Sequence, residues 1–208
     1  MEQKELKKMG HDLPMEVINQ AFLQADEYFY NECARLPLIE RSKEEKSQVF
    51  YTHQHLVQKY CGLKPTRESV LHIIGCYQEQ CTTQVIFEDA AETLRILREK
   101  SLKIGLISNS DGDISPLLTQ TGLDQLLDVV ITSAQFNVTK PNAGIFQIAL
   151  NKLGISKDQA LYVGDQIEID MAGAENAGID ALLIDRQDYY KNTPYSRIND
   201  MRQVLDYI

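Results

Sequence analysis

Polar residues with complementary chemistry follow three short apolar segments of this chain. Ser108 and Asn109 end one segment, Lys140 follows a second, and Asp165 follows a third with Asp170 five residues later. Hydroxyl and backbone N–H groups can hold phosphoryl oxygens, and a lysine can neutralise their charge. One or two carboxylates can carry Mg²⁺. The residue types therefore fit a site for a phosphoryl group and a magnesium ion.

Each of these residues also has a purely structural interpretation. Ser108 or Asn109 alone could end a strand or cap a helix, and Lys140 alone could be a solvated surface charge. Asp165 could cap the next helix, and Asp170 could be a first-turn acid that complements the helix dipole. Their common placement, each just past a predicted strand, favours the functional interpretation.

The second part of the chain, 85–208, predicts the parallel sheet that would position these residues. Short apolar runs alternate with amphipathic helices, which is typical of parallel α/β units. Ligands bind beyond the carboxyl ends of such strands. The predicted strands are 102–108, 128–132, 160–164 and 181–185, and the predicted helices are 89–100, 113–121, 142–153, 167–177 and 198–208. Asp89 with Glu92 can cap the first of these helices.

The first part of the chain, 1–84, predicts helices only. Apolar residues recur every three or four positions from Met15 to Cys33. Ser42 and Glu45 form a capping-box pattern that opens a second helix, which Gly62 ends. Thr66 can cap a third helix. The expected domains are therefore a helical one at 1–84 and an α/β one at 85–208.

Composition and charge exclude several classes of protein. Thirty acidic and 21 basic residues give a net charge of −9, so the field of the protein repels phosphate backbones and anionic membranes. We expect neither nucleic acid nor a membrane as a partner, and a cytoplasmic location. The sequence contains no C-x-x-C pair, so we expect its cysteines to be reduced, buried thiols rather than a metal or redox site. The cysteines are Cys33, Cys61, Cys76 and Cys81.

Three segments of the α/β part resemble motifs of the haloacid dehalogenase superfamily of phosphohydrolases. LISNS, which contains Ser108, looks like the second motif, and Lys140 before Pro141 looks like the third. VGDQIEIDMAGAENAG, which contains Asp165 and Asp170, looks like the fourth, G-D-x-x-x-x-D. The resemblance implies a Rossmann-like parallel sheet and makes 1–84 similar to the family's all-helical cap domain, which closes over the substrate.

The resemblance also implies a role for each residue. Ser108 would bind the transferring phosphoryl group with the backbone around Asn109, and Lys140 would steady the charge on nucleophile and phosphate. Asp165 would bind Mg²⁺, with Asp170 completing or orienting that site. Because the family's true dehalogenases lack this acid pair, the chain resembles its Mg²⁺-dependent phosphatases, and we expect a small phosphorylated metabolite as substrate.

The family's first motif, an apolar strand followed by D-x-D-x-[TV], is not found in the chain. It supplies the nucleophilic aspartate, without which an aspartyl-phosphate cannot form. The D-x-D of Asp111 and Asp113 follows the second-motif strand, so it is out of register. In this family the first strand lies in the middle of the sheet, between the Ser108 and Asp165 strands. The chain should therefore lack both the nucleophile and a central strand.

Two explanations remain open at this point. The sequence is a truncated or late-starting form of an active phosphatase, which the complete set of remaining motif residues favours, or it is a non-catalytic pseudoenzyme with a binding or regulatory role. A phospho-acceptor receiver domain fits less well, because its acidic residues precede the hydroxyl and the lysine, whereas Asp165 follows both.

Overall fold

The computed structural model describes residues 2–80, 86–110 and 112–208, with side chains in these ranges except at 78–80. The chain divides into two compact units, Met1–Thr83 and Gln84–Ile208. Cys81, Val85 and Asp111, about which the sequence made predictions, lie outside the described residues. None of the described helices is both long enough and apolar enough to cross a bilayer.

The first unit is helical, and two of its helices begin where the sequence places capping residues. Ser42 Oγ accepts from the Glu45 N–H while the Glu45 carboxylate accepts from the Ser42 N–H, which confirms the predicted capping box. The Ser69 N–H donates to Thr66 Oγ1 at the next helix start. The helices are α1 (Glu2–Lys8), α2 (Met15–Arg35), α3 (Lys43–Tyr60) and α4 (Arg67–Gln80).

The core of this unit forms where α1, α2 and α3 pack together. Leu6, Ile18 and Val57 are almost completely buried and belong to one cluster. Leu6 is the residue that α1 contributes to this cluster. A seven-residue helix has little stability of its own, so α1 depends on this burial. Cys33 and Cys61 are buried thiols, as predicted, whereas Cys76 is partly exposed.

The second unit alternates strands and helices, and all of its strand pairs are parallel. The strands are β1 (Gly105–Ser108), β2 (Val129–Thr132), β3 (Leu161–Gly164), β4 (Asp180–Ile184) and β5 (Ser196–Ile198). The helices are α5 (Glu88–Glu99), α6 (Ser115–Thr121), α7 (Ser133–Phe136), α8 (Ala143–Leu153) and α9 (Ala172–Ala177). This is the expected α/β, Rossmann-like class.

The strands form two separate sheets among the described residues. One contains β1 and β2 with Ser108 opposite Thr132, and the other has the order β3-β4-β5. Helix α8 unites them, because its buried Phe146 belongs to a core cluster against which residues of both sheets pack. Those residues include Ile107 and Ile131 of one sheet and Tyr162 and Ala181 of the other. The sheets thus share a core without pairing with each other.

Two expectations about elements were wrong. Asp89 was predicted to cap a helix, but it lies inside α5, where it is buried and accepts from Arg186 Nη1 at 2.7 Å and the Met201 N–H at 2.8 Å. Ile198 was predicted to begin a terminal helix, but it ends β5 instead. A 3₁₀ helix then follows at Met201–Tyr207. In both cases contacts distant in sequence determine the local structure.

We predict that Asp89→Asn destabilises the second unit by about 1.5–3 kcal/mol, the range for hydrogen bonds to a charged group. The substitution removes the charge that faces Arg186, and the Met201 N–H loses an anionic acceptor. Urea denaturation followed by circular dichroism measures the change. Glu88→Gln, at the exposed neighbouring position, is the control and should change little. Equal midpoints for the two variants would contradict the prediction.

This stabilisation should also depend on pH. The hydrogen bond from Arg186 lowers the pKa of Asp89 below its ordinary value. A carboxylate with a lowered pKa in the folded protein contributes its full stabilisation above its unfolded pKa, near 4, and loses it as the pH falls through its folded pKa. The stability difference between Asp89→Asn and the parent chain should therefore be constant above pH 5 and shrink below about pH 4. A difference that grows on acidification would contradict this assignment.

Candidate functional site

The carboxyl end of β1 is joined to the loop that contains Lys140. Asn109, the residue after β1, accepts from the Lys140 N–H through Oδ1 at 2.8 Å. Its Nδ2 donates to the Lys140 carbonyl at 2.9 Å. This reciprocal pair fixes the backbone of Lys140 beside the end of β1. The sequence predicts that the backbone around Asn109 binds the phosphoryl group, and the side chain of Asn109 contacts Lys140.

The side chain of Lys140 reaches the other sheet. Its Nζ lies 2.7 Å from Asp170 Oδ1 and 3.2 Å from the Tyr162 hydroxyl of β3. Tyr162 in turn donates to Asp170 Oδ1 at 2.9 Å. Burial, followed by the charge of Asp170, raises the pKa of Tyr162, so the phenol stays protonated and remains a donor. The carboxyl ends of β1 and β3 therefore meet at one site.

The second oxygen of Asp170 orders the loop after β3. Asp170 Oδ2 accepts from the backbone N–H groups of Asp165 at 3.1 Å and Gln166 at 3.2 Å. The carboxylate is 3% exposed, so both of its oxygens are committed to contacts within the protein. A π-helical turn, Ile167–Met171, presents it to the loop.

Gly164 allows this close approach at the end of β3. A Cβ atom there would lie 2.5 Å from Asp170 Cγ and 2.7 Å from Oδ2. Real Cβ atoms do not approach neighbours so closely, and the atoms in the way belong to a carboxylate held by four hydrogen bonds. The glycine of the G-D-x-x-x-x-D segment is thus required by packing.

Ser108 and Asp165 are the predicted site residues whose side chains are available for a ligand. Among the described residues, none makes a hydrogen bond with the Ser108 hydroxyl, and Asp165 is exposed at the end of β3. Partial removal from water, together with the charge of Asp170, raises the pKa of Asp165, while Lys140 opposes the shift.

The donor set at Asp165 is suited to a hard divalent cation. Mg²⁺ is bound in proteins by one or two carboxylates, with waters and substrate phosphates completing the octahedron. Asp165 supplies one such carboxylate. Asp170 already accepts hydrogen bonds from the backbone of the loop, so its role is to orient that loop. The residues present fit Mg²⁺ as a partial set that needs a further carboxylate or the substrate itself.

All five predicted site residues lie at the same edge of the second unit. The sequence did not identify Tyr162 or the packing role of Gly164. Tyr162 could have been noticed as the one hydroxyl-bearing side chain in the apolar segment ALYVG. A separate cavity of about 540 Å³ lies along β2 and the start of α6, and none of the five residues lines it.

We predict that Gly164→Ala displaces Asp170 and costs about 1–3 kcal/mol of stability, the usual range for overpacking a well-packed site. Gly112→Ala is the matched control, because a Cβ at Gly112 meets nothing within 4 Å. Thermal melting compares the two variants with the parent chain. Equal stability for Gly164→Ala and Gly112→Ala would show that Asp170 does not occupy the position described.

Comparison with known families and proteins gives a consistent result. The family model described as haloacid dehalogenase-like hydrolase matches residues 18–184. A glyceraldehyde 3-phosphate phosphatase of Methanopyrus kandleri is 27% identical over 165 residues, covering 75% of this chain and 71% of that protein. A ribulose-1,5-bisphosphate 5-phosphatase of Halopiger xanaduensis is 35% identical, but the match covers 47% of this chain and 41% of that protein. For several relatives, then, this chain spans less than half of their length.

Solved structures show the same fold. A phosphatase from Thermococcus onnurineus is 25% identical with a TM-score of 0.54, and the match covers 93% of this chain and 88% of that one. The hydrolase YfnB from Bacillus subtilis has a TM-score of 0.65 at 14% identity, covering 98% of this chain and 86% of that one. The second likeness concerns the fold alone.

Proposed function

The chain belongs to the haloacid dehalogenase-like hydrolase family, and from that premise we propose that it is the main part of a Mg²⁺-dependent phosphatase acting on a small phosphorylated metabolite. The observation that carries the proposal is the position of Lys140. Its backbone is held by Asn109 and its ammonium group by Asp170, so one cation is fixed where the carboxyl ends of the two sheets meet.

A fixed ammonium group in a partly closed site is suited to stabilising negative charge. Its side chain is only 11% exposed, so the charge is weakly screened by solvent. Preorganised cations of this kind stabilise the charge that develops on a transferring phosphoryl group. Lys140 is therefore a catalytic residue, whereas Asn109, Tyr162 and Asp170 are positioning residues.

The remaining roles follow from which side chains can contact a substrate or a metal ion. The Ser108 hydroxyl donates to a phosphoryl oxygen, because no described residue occupies it. Asp165 holds Mg²⁺, which supplies charge neutralisation at the phosphoryl oxygens when bound. Asp170 orients the Asp165 loop through its two backbone hydrogen bonds.

We place the nucleophile on a strand between β1 and β3. In the described residues β1 pairs along one edge with β2, and β3 pairs along one edge with β4, so each of these two strands has a second edge without a strand partner. Unpaired N–H and C=O groups along a strand edge are a ready template for pairing with a further strand. A parallel strand that carries the D-x-D motif would pair with both edges and deliver its carboxylates beside Lys140 and Asp165.

The substrate class rests on the relatives. Their names include phosphatases of glyceraldehyde 3-phosphate, ribulose-1,5-bisphosphate and phosphoserine, which are small phosphate esters. The negative net charge of the chain disfavours a polyanionic substrate such as nucleic acid. We propose that the helical first unit is the cap that selects among small esters, and that the protein acts in the cytoplasm.

Phosphate release tests this function. We expect the 208-residue chain to hydrolyse a general phosphatase substrate with Mg²⁺ no faster than background. A version extended before Met1 by an apolar strand ending in D-x-D-x-[TV] and a short link should release phosphate. In that version, Lys140→Met and Asp165→Asn should each lower kcat by at least about 100-fold, as expected when a charge-stabilising group is removed.

Matched variants separate these effects from general damage. Lys100→Met and Asp158→Asn remove exposed charges of the same types within the second unit and should leave kcat unchanged. Turnover by the unextended chain that Asp165→Asn abolishes would show that another carboxylate is the nucleophile. A folded but inactive extended chain would favour a non-catalytic binding protein instead.

A further inference from the structure

Three metal-ligating side chains of the first unit converge outside the site described above. Glu5 of α1 and His72 and Cys76 of α4 each offer one ligand atom, and these atoms all lie within 4.8 Å of one another. Glu5 Oε2 lies 3.5 Å from His72 Nε2. His72 Nε2 lies 3.8 Å from Cys76 Sγ. A carboxylate, an imidazole and a sulfur atom thus surround one point.

The convergence follows from helix geometry. His72 and Cys76 are four residues apart on α4 and therefore occupy the same face. Helix α1 presents Glu5 to that face, and the carboxylate is only 3% exposed. Two ligands come from one rigid element and the third is held by burial, so little further ordering is needed to assemble the set.

Two of the three distances between ligand atoms are close to the edges of a tetrahedral zinc site, and the third is no more than 4.8 Å. Bond lengths of about 2.3 Å to sulfur and 2.0–2.1 Å to nitrogen or oxygen place neighbouring ligand atoms about 3.3–3.6 Å apart around a tetrahedral ion. The separations of 3.5 Å and 3.8 Å are within a few tenths of an ångström of these values. Small side-chain rotations would complete the geometry.

The carboxylate of Glu5 is shared between the cluster and Lys8. Glu5 Oε1 binds Lys8 Nζ at 2.9 Å, which leaves Oε2 directed to His72. Lys8 is 59% exposed and can move toward solvent when a cation arrives.

We propose that Glu5, His72 and Cys76 bind a zinc ion that joins α1 to α4, with water in the fourth position. Thiolate and imidazole ligands select Zn²⁺ over the hard cations Mg²⁺ and Ca²⁺. His72 is 51% exposed, so solvent can supply the fourth ligand. The ion clamps α1, which is only seven residues long, to the rest of the unit. This site is independent of the proposed phosphatase function.

Cobalt substitution tests the proposal on the full chain. Co²⁺ bound by a thiolate shows an intense near-ultraviolet charge-transfer band, whereas Co²⁺ held by oxygen ligands at Asp165 does not. We expect one equivalent of Co²⁺ to produce the band and one equivalent of Zn²⁺ to remove it. Zn²⁺ should also raise the melting temperature of the first unit.

Variants assign the band to these residues. Cys76→Ser should abolish it, and His72→Gln and Glu5→Gln should each weaken Co²⁺ binding by at least about 10-fold, the minimum seen when even an outer partner of a metal ligand is lost. Cys33→Ala and His55→Gln, which alter a thiol and an imidazole elsewhere in the first unit, should retain the parent affinity.

Three results would overturn the assignment. They are a band that persists in Cys76→Ser, a band that is equally weakened by Cys33→Ala, and the absence of any band at micromolar Co²⁺ in the parent chain. If Glu5→Gln does not fold, as judged by its circular dichroism, the His72→Gln and Cys76→Ser variants decide the outcome alone.

Discussion

The ion pair between Lys140 and Asp170 joins the two sheets of the second unit at their carboxyl ends. Lys140 is attached to the end of β1 through Asn109, and Asp170 holds the loop that follows β3. Because the pair is almost completely buried, breaking it would leave an uncompensated charge, at a typical cost of about 3–5 kcal/mol. The relative position of β1 and β3 at this edge is therefore strongly constrained, although the two strands do not pair.

This constraint bears on the proposal that a further strand pairs with β1 and β3. Phe146 of α8 lies in a core shared by both sheets, and the ion pair links them at the carboxyl edge, so the proposed strand would lie beside residues that are already held in place. A single strand would then complete the hydrogen bonding of both inner edges and bring acidic residues to the site. Fold stability and catalytic chemistry would depend on the same few residues.

The sequence predicted those features that depend on local chemistry. The capping box of Ser42 and Glu45 and the strands around Ser108 and Gly164 were identified because turn and cap residues act within a few positions. Features that depend on distant partners were missed. Aspartate is a common helix-capping residue, but the partners of Asp89 are Arg186 and Met201, which lie 97 and 112 residues away in sequence.

The same distinction between local chemistry and distant contacts applies to the site. The positions of Ser108, Lys140 and Asp165 follow from the rule that ligands bind at the carboxyl ends of parallel strands. The use made of each side chain does not follow from that rule, because it depends on which neighbours a carboxylate or amide contacts. For this reason neither the lysine-positioning role of Asn109 nor the contribution of Tyr162 was visible in the sequence.

Hydrogen exchange in β1 and β3 tests whether one further strand pairs with both of them. Backbone amides of these strands would be followed in this chain and in a version extended by a strand ending in D-x-D-x-[TV]. We predict that exchange slows in both strands together in the extended protein, while the amides of the outer strands β2 and β5 change less. Unchanged exchange in β1 and β3, in an extended protein that nevertheless releases phosphate, would contradict it.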